Sequence, residues 1–368
     1  MKKIIVPIIF ALVGTSFVTY SFLDTFVIPK NVQHVSYSNN SIDIPLGPVL
    51  PTSSSPKDSS SSTTNYSSDV TPIQQTGQYY EDLTVEEIAA KFTPTKQFVE
   101  RQHYSDPDIY IDITTNRDKE DTTTYYVADI RIRNLGYFRT AFAKDQFGQN
   151  IGERTSDICN RKKGILAIDG DTYGSQESGY VIRNGNTDSK YIRTTKNLKR
   201  NKPEDLIVKK DGTFEIIDEN NTSFEDVLNK NPLHVFSFGP GLVKNNQIIA
   251  EENDEVGTAM GGNKNQRCAI GIISPGHYVF VVSDGRMKSS YGLSLLTLAE
   301  IMKDLHCETA YNLDGGGSAT MYLEDGTGNA NKLGHLVNYP HQSTQGLPDN
   351  PRMQQREVSD IVYIGKEL

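Results

Sequence analysis

The sequence has no tryptophan among its 368 residues and only three cysteines. Cys159, Cys268 and Cys307 are far apart and form no C-x-x-C pair, so the chain has neither a disulfide framework nor a zinc signature. Basic residues are fewer than acidic ones, 37 against 46, which gives a formal net charge of −9. This balance argues against nucleic acid as a partner, because nucleic acid requires a basic patch.

Three signatures of catalysis or metal binding are also missing from the sequence. There is no H-E-x-x-H motif and the histidines are scattered, so we do not expect a zinc hydrolase. No G-x-S-x-G occurs, which excludes a serine nucleophile of the α/β-hydrolase type. The calcium-loop pattern D-x-D-x-D-G is absent as well. We therefore assign no metal ligands from the sequence.

One stretch is long and uncharged enough to span a membrane. Residues 4–23 carry no charge and follow Lys2 and Lys3, and about 20 residues suffice to cross a bilayer as a helix. The two lysines favour a cytoplasmic N-terminus. We predict that residues 1–32 form a single-pass anchor in the cell membrane and that the C-terminal domain is extracytoplasmic. The alternative is a cleaved signal peptide and a secreted protein.

The rest of the chain divides into a linker and one folded domain. Residues 33–78 are rich in serine, threonine and proline and cannot bury a core, so we predict a linker there and a domain over 79–368. Strands dominate the domain without regular alternation with helices, so the predicted class is α+β, a mixed β-sheet-rich single domain with few helices. The predicted elements are a capped helix at 84–92, strands at 109–113, 126–132, 165–168, 269–273, 278–282, 309–313 and 358–364, and an amphipathic helix at 294–305.

Several predicted strands end in the same way, in polar residues and glycine. The clearest example is residues 311–321, where Asp314 precedes three consecutive glycines. Three glycines lose more backbone entropy on folding than any other tripeptide, so they indicate a sharp bend or a close approach. If the strands lie side by side, their ends form one cleft. The other four segments are 168–174, 236–242, 266–271 and 283–286.

The residues of this cleft are suited to a sugar phosphate. Arginine binds phosphate oxygens through two hydrogen bonds, glycine-rich backbone offers N–H donors, and paired carboxylates act in glycosidic cleavage. The carboxylates could instead hold a divalent cation, Ca²⁺ or Mg²⁺. Taken singly, each motif also fits an ordinary turn or a surface ion pair. The candidates are Asp169, Asp171, Asp284, Asp314, Arg267, Arg286, Gly170, Gly239, Gly285, Gly315, Gly316, Gly317 and Ser318.

Together these motifs resemble those of the phosphodiester glycosidase family, which includes the lysosomal uncovering enzyme and many bacterial relatives. The order of the motifs along the chain matches, and so does the helix between the last two. The resemblance covers about residues 106–368 and is most specific over 236–321. Bacterial members are often named exopolysaccharide biosynthesis proteins and frequently follow an N-terminal anchor.

The resemblance implies a hydrolase of sugar-1-phosphodiester bonds that acts on a carbohydrate or sugar-phosphate polymer, such as a cell-surface or exopolysaccharide glycan. It implies that Arg267 and Arg286 hold the phosphate and that Asp284 and Asp314 are the catalytic carboxylates. The three glycines would let the substrate reach the backbone. The remaining pair, Asp169 and Asp171, would position sugar hydroxyls or a metal.

One position departs from the family's pattern, because Asp169 stands where asparagine is usual. An ionised carboxylate cannot donate a hydrogen bond, and it adds a negative charge beside Asp171. This departure supports an alternative function, a non-catalytic polysaccharide-binding or envelope-assembly protein with the same fold. The lack of tryptophan argues against that alternative, because sites for neutral polymers usually show exposed aromatic residues.

Overall fold

The computed structural model describes residues 97–99, 102–251, 264–324, 336–340 and 355–366. The predicted anchor, the predicted linker and the helix predicted at 84–92 all lie outside these ranges. No helix within them is long and apolar enough to cross a membrane.

The described part of the chain consists mainly of β-strands. Its three α-helices are short: α1 (Thr155–Arg161), α2 (Phe224–Asn229) and α3 (Leu295–Asp304). The strands are β1 (Gln97–Val99), β2 (His103–Ser105), β3 (Ile109–Asp118), β4 (Thr123–Ile132), β5 (Phe138–Phe142), β6 (Glu153–Arg154), β7 (Leu166–Asp169), β8 (Glu204–Lys209), β9 (Phe214–Asp218), β10 (Pro232–Phe236), β11 (Gly241–Lys244), β12 (Gln247–Ile248), β13 (Cys268–Ser274), β14 (His277–Ser283), β15 (Thr309–Asn312), β16 (Met321–Leu323), β17 (Glu357–Val358) and β18 (Asp360–Ile364).

These strands form one large sheet and three smaller ones. The nine-stranded sheet has the order β1-β2-β3-β4-β14-β13-β15-β11-β12, and the others are β16-β7-β18-β5, β10-β8-β9 and β17-β6. The prediction of a β-rich domain with few helices is confirmed. The prediction of a mixed sheet is wrong, because every pairing between these strands is antiparallel. Antiparallel neighbours need only short connections, which suits a chain with so few crossover helices.

The nine-stranded sheet is covered on both faces. One face packs against the four-stranded and three-stranded sheets around a core that includes Ile270, Phe280 and Tyr311. The opposite face packs against α3 through residues such as Leu298 and Met302. Because β13 and β14 are buried on both sides, they are almost continuously apolar. The outer faces of the four-stranded and three-stranded sheets are covered by α1 and α2.

Several predicted elements match the structure closely. The hairpin of β13 and β14 turns at Pro275-Gly276, where Gly276 has φ +86°, a value that glycine adopts without strain. The single strand predicted at 358–364 is two strands instead. The chain leaves one sheet for another at Ser359, so β17 pairs with β6 while β18 pairs with β5 and β7.

We expect Ser294→Ala to weaken α3. The Oγ atom of Ser294 accepts a hydrogen bond from the backbone N of Thr297 over 2.9 Å, and loss of such a cap costs about 1 kcal/mol. The melting temperature, followed by circular dichroism, should fall by about 2–4 °C. Ser289→Ala, at an exposed position in the turn before α3, is the matched control. Equal shifts in the two variants would contradict the capping role.

Candidate active site

The strand ends that the sequence singles out lie together in the structure. Strands β13, β14 and β15 are neighbours, and their antiparallel pairing places the start of β13 beside the ends of the other two. Arg267, Asp284 and Asp314 stand at these positions. Strand β7 belongs to another sheet, but the backbone N of Asp314 donates to the carbonyl of Gly170 over 3.1 Å. One edge of the molecule therefore carries most of the predicted site.

A tight turn, residues 315–318, forms the centre of this edge. Gly316 has φ +60° and its N donates to the carbonyl of Gln266 over 2.9 Å. A Cβ atom at Gly315 would come within 2.6 Å of that same carbonyl. These glycines are therefore required by contacts within the protein. Gly316, Gly317 and Ser318 are buried, and only Gly315 of this turn is partly exposed, so the backbone is less open to a substrate than the resemblance implies.

Three arginines surround the turn. One guanidinium nitrogen of Arg286 lies 3.0 Å from the position that a Cβ of Gly316 would take. Nη1 of Arg356 lies 3.5 Å from Oγ of Ser318 on the same turn, and Arg267 is partly exposed at the start of β13. Burial, followed by the positive charges of Arg356 and Arg267, lowers the pKa of Arg286. Like charges gathered at one place are typical of a site for an anion.

The backbone at Arg286 is held in an uncommon conformation. Its φ is +55°, a value that few residues other than glycine adopt. Its N donates to the carbonyl of Tyr291 over 3.1 Å, and Met287 and Ser290 exchange two backbone hydrogen bonds. Such a conformation persists only where the surrounding structure enforces it, and it is common at binding sites. The sequence predicted Arg286 but not this constraint.

Arg356 is a member of the site that the sequence did not reveal. It is positioned by its neighbours, because Nε2 of Gln355 donates to Oγ of Ser156 over 2.8 Å and Glu357 pairs with Arg154 in the β17–β6 ladder. The local sequence offers only an arginine just before the final strands. The pairing that carries it to the turn joins residues about 200 positions apart and has no local signal.

Asp314 is the candidate carboxylate that remains partly exposed, whereas the other three are at most 3% exposed. Its Oδ1 accepts a hydrogen bond from the N of Gly315 over 2.8 Å. Burial raises the pKa of Asp314, while hydrogen bonding from Ser318 and the charge of Arg356 act in the opposite direction. The geometry thus places one titratable acid beside the arginines.

Asp284 lies behind this surface and holds two segments in place. Its Oδ2 accepts from the hydroxyl of Tyr126 over 3.2 Å, and its Oδ1 accepts from the N of Tyr339 over 2.7 Å. The adjacent Gly285 packs so closely that a Cβ there would lie 2.7 Å from the N of Gln266. Asp284 therefore connects β4 with residues 336–340 beside the turn.

A buried ion network lies beneath the turn. Arg183 is 2% exposed, and its guanidinium contacts Asp171 at 2.8 Å and Asp360 at 2.7 Å. Asp171 also accepts from the N of Ser237 over 2.9 Å, which attaches the end of β10. Burial raises the pKa of Asp360 to about 7, although the charge of Arg183 opposes this rise. Neither Arg183 nor Asp360 was a candidate from the sequence.

Gly239 lies on the far side of the same network. Its φ is +70°, and its carbonyl accepts from Nδ2 of Asn312 over 2.8 Å. Arg200 holds the start of this loop, because its Nη1 donates to the carbonyl of Ser237 over 2.7 Å. The loop around Gly239 therefore packs beside β15, the strand that leads to Asp314.

Asp169 is fully buried at the end of β7. Its Oδ1 accepts a long hydrogen bond of 3.4 Å from the N of Thr320, and its Oδ2 has no hydrogen-bond partner among the described residues. Burial, and then the charge of Asp314, raises the pKa of Asp169 well above the usual aspartate range. The neutral carboxyl is therefore the favoured form. Like Asp171, it lies beneath the cleft, where the implied contact with sugar hydroxyls does not fit.

A bound metal would need several donors in one place. In the ranges that the structure describes, no group of three or more His, Cys, Asp or Glu side chains is placed to hold a metal ion. Binding of a divalent cation therefore stays a prediction, which an experiment with a chelator can test.

The fold and the site define a β-rich protein with a glycine turn, arginines close to that turn, and one partly exposed candidate carboxylate. The family model described as phosphodiester glycosidase matches residues 162–365, which is more than half of the chain. The chain belongs to the phosphodiester glycosidase family.

Individual relatives are distant. An uncharacterized SPbeta prophage-derived protein of Bacillus subtilis (strain 168), YomE, is 24% identical over 275 residues, which cover 69% of this chain and 42% of the relative. The N-acetylglucosamine-1-phosphodiester alpha-N-acetylglucosaminidase of Mus musculus is 34% identical over 98 residues, 27% of this chain and 16% of the enzyme. The chain thus spans less than half the length of these curated relatives.

A solved structure has a similar fold. The catalytic domain of zebrafish N-acetylglucosamine-1-phosphodiester alpha-N-acetylglucosaminidase, auto-inhibited by its pro-peptide, superimposes with a TM-score of 0.53 at 22% identity. The match covers 74% of this chain and 88% of the zebrafish domain.

We expect Asp169→Asn to make the stability of the protein less dependent on pH. Because the pKa of Asp169 is raised in the folded chain, the folded chain holds this proton to a higher pH than the unfolded chain, which releases it near pH 4. Wild-type stability is therefore lost as the pH rises from about 4 toward the folded pKa of Asp169, by up to about 1.4 kcal/mol per pH unit. In urea unfolding from pH 4 to 8, the free energy of unfolding of the variant should increase relative to that of the wild type as the pH rises. A constant difference would contradict a buried neutral Asp169.

We expect Arg183→Gln to lower the free energy of unfolding by about 3–5 kcal/mol, because it leaves two buried carboxyl groups without their cation. Urea denaturation at pH 7 measures this loss. Arg117→Gln, which removes an exposed arginine, should cost less than about 1 kcal/mol. Similar losses in both variants would show that the buried network stabilises the fold no more than an exposed arginine does.

Proposed function

We propose that this chain is an extracytoplasmic hydrolase of sugar-1-phosphodiester bonds. The observation that carries the proposal is the glycine turn, where the partly exposed Asp314 stands beside Arg267 and Arg286. Family membership supports the reaction class, and the printed name of the mouse relative describes that enzyme as acting on an N-acetylglucosamine-1-phosphodiester. The uncharged stretch at residues 4–23 supports a location outside the cytoplasm, anchored in the cell membrane.

In this proposal Arg267 and Arg286 bind the oxygens of the scissile phosphodiester. Their charges also stabilise the negative charge that builds on the phosphate as its bond to the sugar breaks. The phosphate monoester that leaves has a second pKa near 6, so it departs as an anion without needing a proton. One exposed carboxylate therefore suffices, even though many glycosidases use two.

Asp314 is the group that we place at the anomeric carbon. In its ionised form it either attacks that carbon or takes the proton of the attacking water. Attack forms a glycosyl–enzyme ester as the bond from the carbon to the phosphate oxygen breaks, and water then hydrolyses the ester, so both routes end in a free sugar and a phosphate monoester. Asp284, Asp171 and Asp169 support the turn from beneath. Because the pKa of Asp314 is raised, activity should be lost as the pH falls below that value.

The polymer that carries the bond is a cell-surface or exopolysaccharide glycan in this proposal. Such a polymer is accessible to an anchored domain outside the cytoplasm. The alternative is a binding or assembly protein without catalysis. Asp169 supports this alternative less strongly than the sequence suggests, because a buried neutral carboxyl has the same charge as the family's usual asparagine.

The test is hydrolysis of the methyl diester of N-acetylglucosamine-1-phosphate by the whole chain in detergent, with and without EDTA. Asp314→Asn should lower kcat at least about a hundredfold and leave the melting temperature nearly unchanged, because asparagine still accepts the hydrogen bond from Gly315. Arg286→Ala should also lose activity. If the wild-type enzyme is active without EDTA and inactive with it, the reaction requires a metal ion.

Asp304→Asn, at the exposed end of α3, is the control for removal of one carboxylate and should keep full activity. Activity in Asp314→Asn would show that Asp314 has no catalytic role in the reaction. Binding of a glycan without any release of sugar would favour the non-catalytic alternative.

A further inference from the structure

The arginines at the turn exceed what one phosphodiester requires. A phosphodiester carries a single negative charge, and two arginines can bind its two free oxygens. Arg267 and Arg286 fill this role in the proposed function. Arg356 brings a third guanidinium to the same turn from a different sheet.

Arg286 and Arg356 approach opposite ends of a very short element. The residues of Gly316–Ser318 form a single 3₁₀ turn, with Arg286 beside its first residue and Arg356 beside its last. A 3₁₀ helix rises about 2 Å per residue, so the two ends are only about 4 Å apart along its axis. Two anionic groups of one ligand can be this close to each other.

The position of Arg356 is fixed by the fold. Gln355 exchanges two hydrogen bonds with Ser156, of 2.8 and 3.1 Å, and Glu357 is paired with β6. Arg356 therefore stands between a residue held through its side chain, Gln355, and a residue held through its main chain, Glu357, although its own side chain is exposed.

The charge of Arg356 already acts on the site. After burial, the charge of Arg356 is the main cause of the lowered pKa of Arg286, and it opposes the rise in the pKa of Asp314. Bringing like charges together is unfavourable, and an anionic ligand between them offsets that repulsion. A ligand with two negative groups offsets more of it than a ligand with one.

We propose that Arg356 binds a second phosphate group of the substrate, next to the scissile phosphodiester held by Arg267 and Arg286. The inference rests on the proposed function and narrows its substrate class to sugar phosphates with at least two neighbouring phosphate groups. A polymer whose repeating units are joined by phosphodiesters has this character, and a neutral glycan with one isolated phosphodiester does not.

The test compares two synthetic substrates with the whole chain in detergent. One is the methyl diester of N-acetylglucosamine-1-phosphate, and the other carries a 2-phosphoethyl group in place of the methyl group. Hydrogen bonds to charged groups are strong enough for a preference of about tenfold or more in kcat/KM for the second substrate. In Arg356→Gln the ratio of the two kcat/KM values should fall close to one, and Arg356→Lys should restore part of it.

Arg154→Gln is the matched control, because Arg154 is an exposed arginine on β6, opposite Glu357. It removes the same charge close by and should keep the wild-type ratio. Equal losses on both substrates in Arg356→Gln, or an equal change of the ratio in Arg154→Gln, would overturn the role of Arg356.

Calorimetric binding of hydrolysis-resistant phosphonate analogues of both substrates separates this inference from the proposed function. If the methyl diester is hydrolysed and Arg356→Gln leaves the ratio unchanged, the second-phosphate site fails and the hydrolase stands. If neither substrate is hydrolysed and neither analogue binds, the proposed function fails and this inference fails with it. Tighter binding of the bisphosphate analogue, lost in Arg356→Gln, supports the site even without turnover.

Discussion

The contact of Arg183 with Asp171 and Asp360 is the interaction on which the site most depends. It joins the end of β7 to β18, and through the hydrogen bond from Ser237 to Asp171 it also joins β10. Two sheets are therefore fixed to each other beneath the turn. A buried ion pair is weak evidence for high stability, but breaking it leaves uncompensated charge, so the arrangement of the sheets is specified. The position of Gly170, and with it Asp314, follows from this network.

Much of the fold follows from local patterns in the sequence. The hairpin of β13 and β14, the helix α3 and the strand β15 are apparent from apolar runs, a proline-glycine turn and helical spacing. The polar residues and glycines beside apolar strands also indicate a shared cleft, on the condition that these strands are neighbours. The sheet order and the antiparallel pairing throughout do not follow, because they depend on contacts between distant segments.

The candidate site also contains some residues that the sequence indicates and others that it does not. Asp314 and Arg286 carry a signal because they stand beside glycines just after a strand, and Arg267 carries one because it precedes an apolar strand. Arg356 and Arg183 carry none, because one is placed by a two-residue ladder with β6 and the other by burial against carboxylates on two strands. The resemblance groups Asp284 with Asp314 as catalytic carboxylates, whereas burial separates the partly exposed Asp314 from the other three candidates.

The distribution of charge at the turn connects the fold with the chemistry. An anionic substrate is repelled by every ionised carboxylate nearby, and the structure limits that repulsion in two ways. Asp171 faces a buried arginine, and Asp169 is in a place where the neutral carboxyl is favoured. Asp284 accepts hydrogen bonds from Tyr126 and Tyr339 behind the turn. Asp314 is the partly exposed acid beside the three arginines, which attract the phosphate in the proposed function. An aspartate at position 169 is therefore compatible with the proposed anion-binding site, because its burial disfavours the charged form.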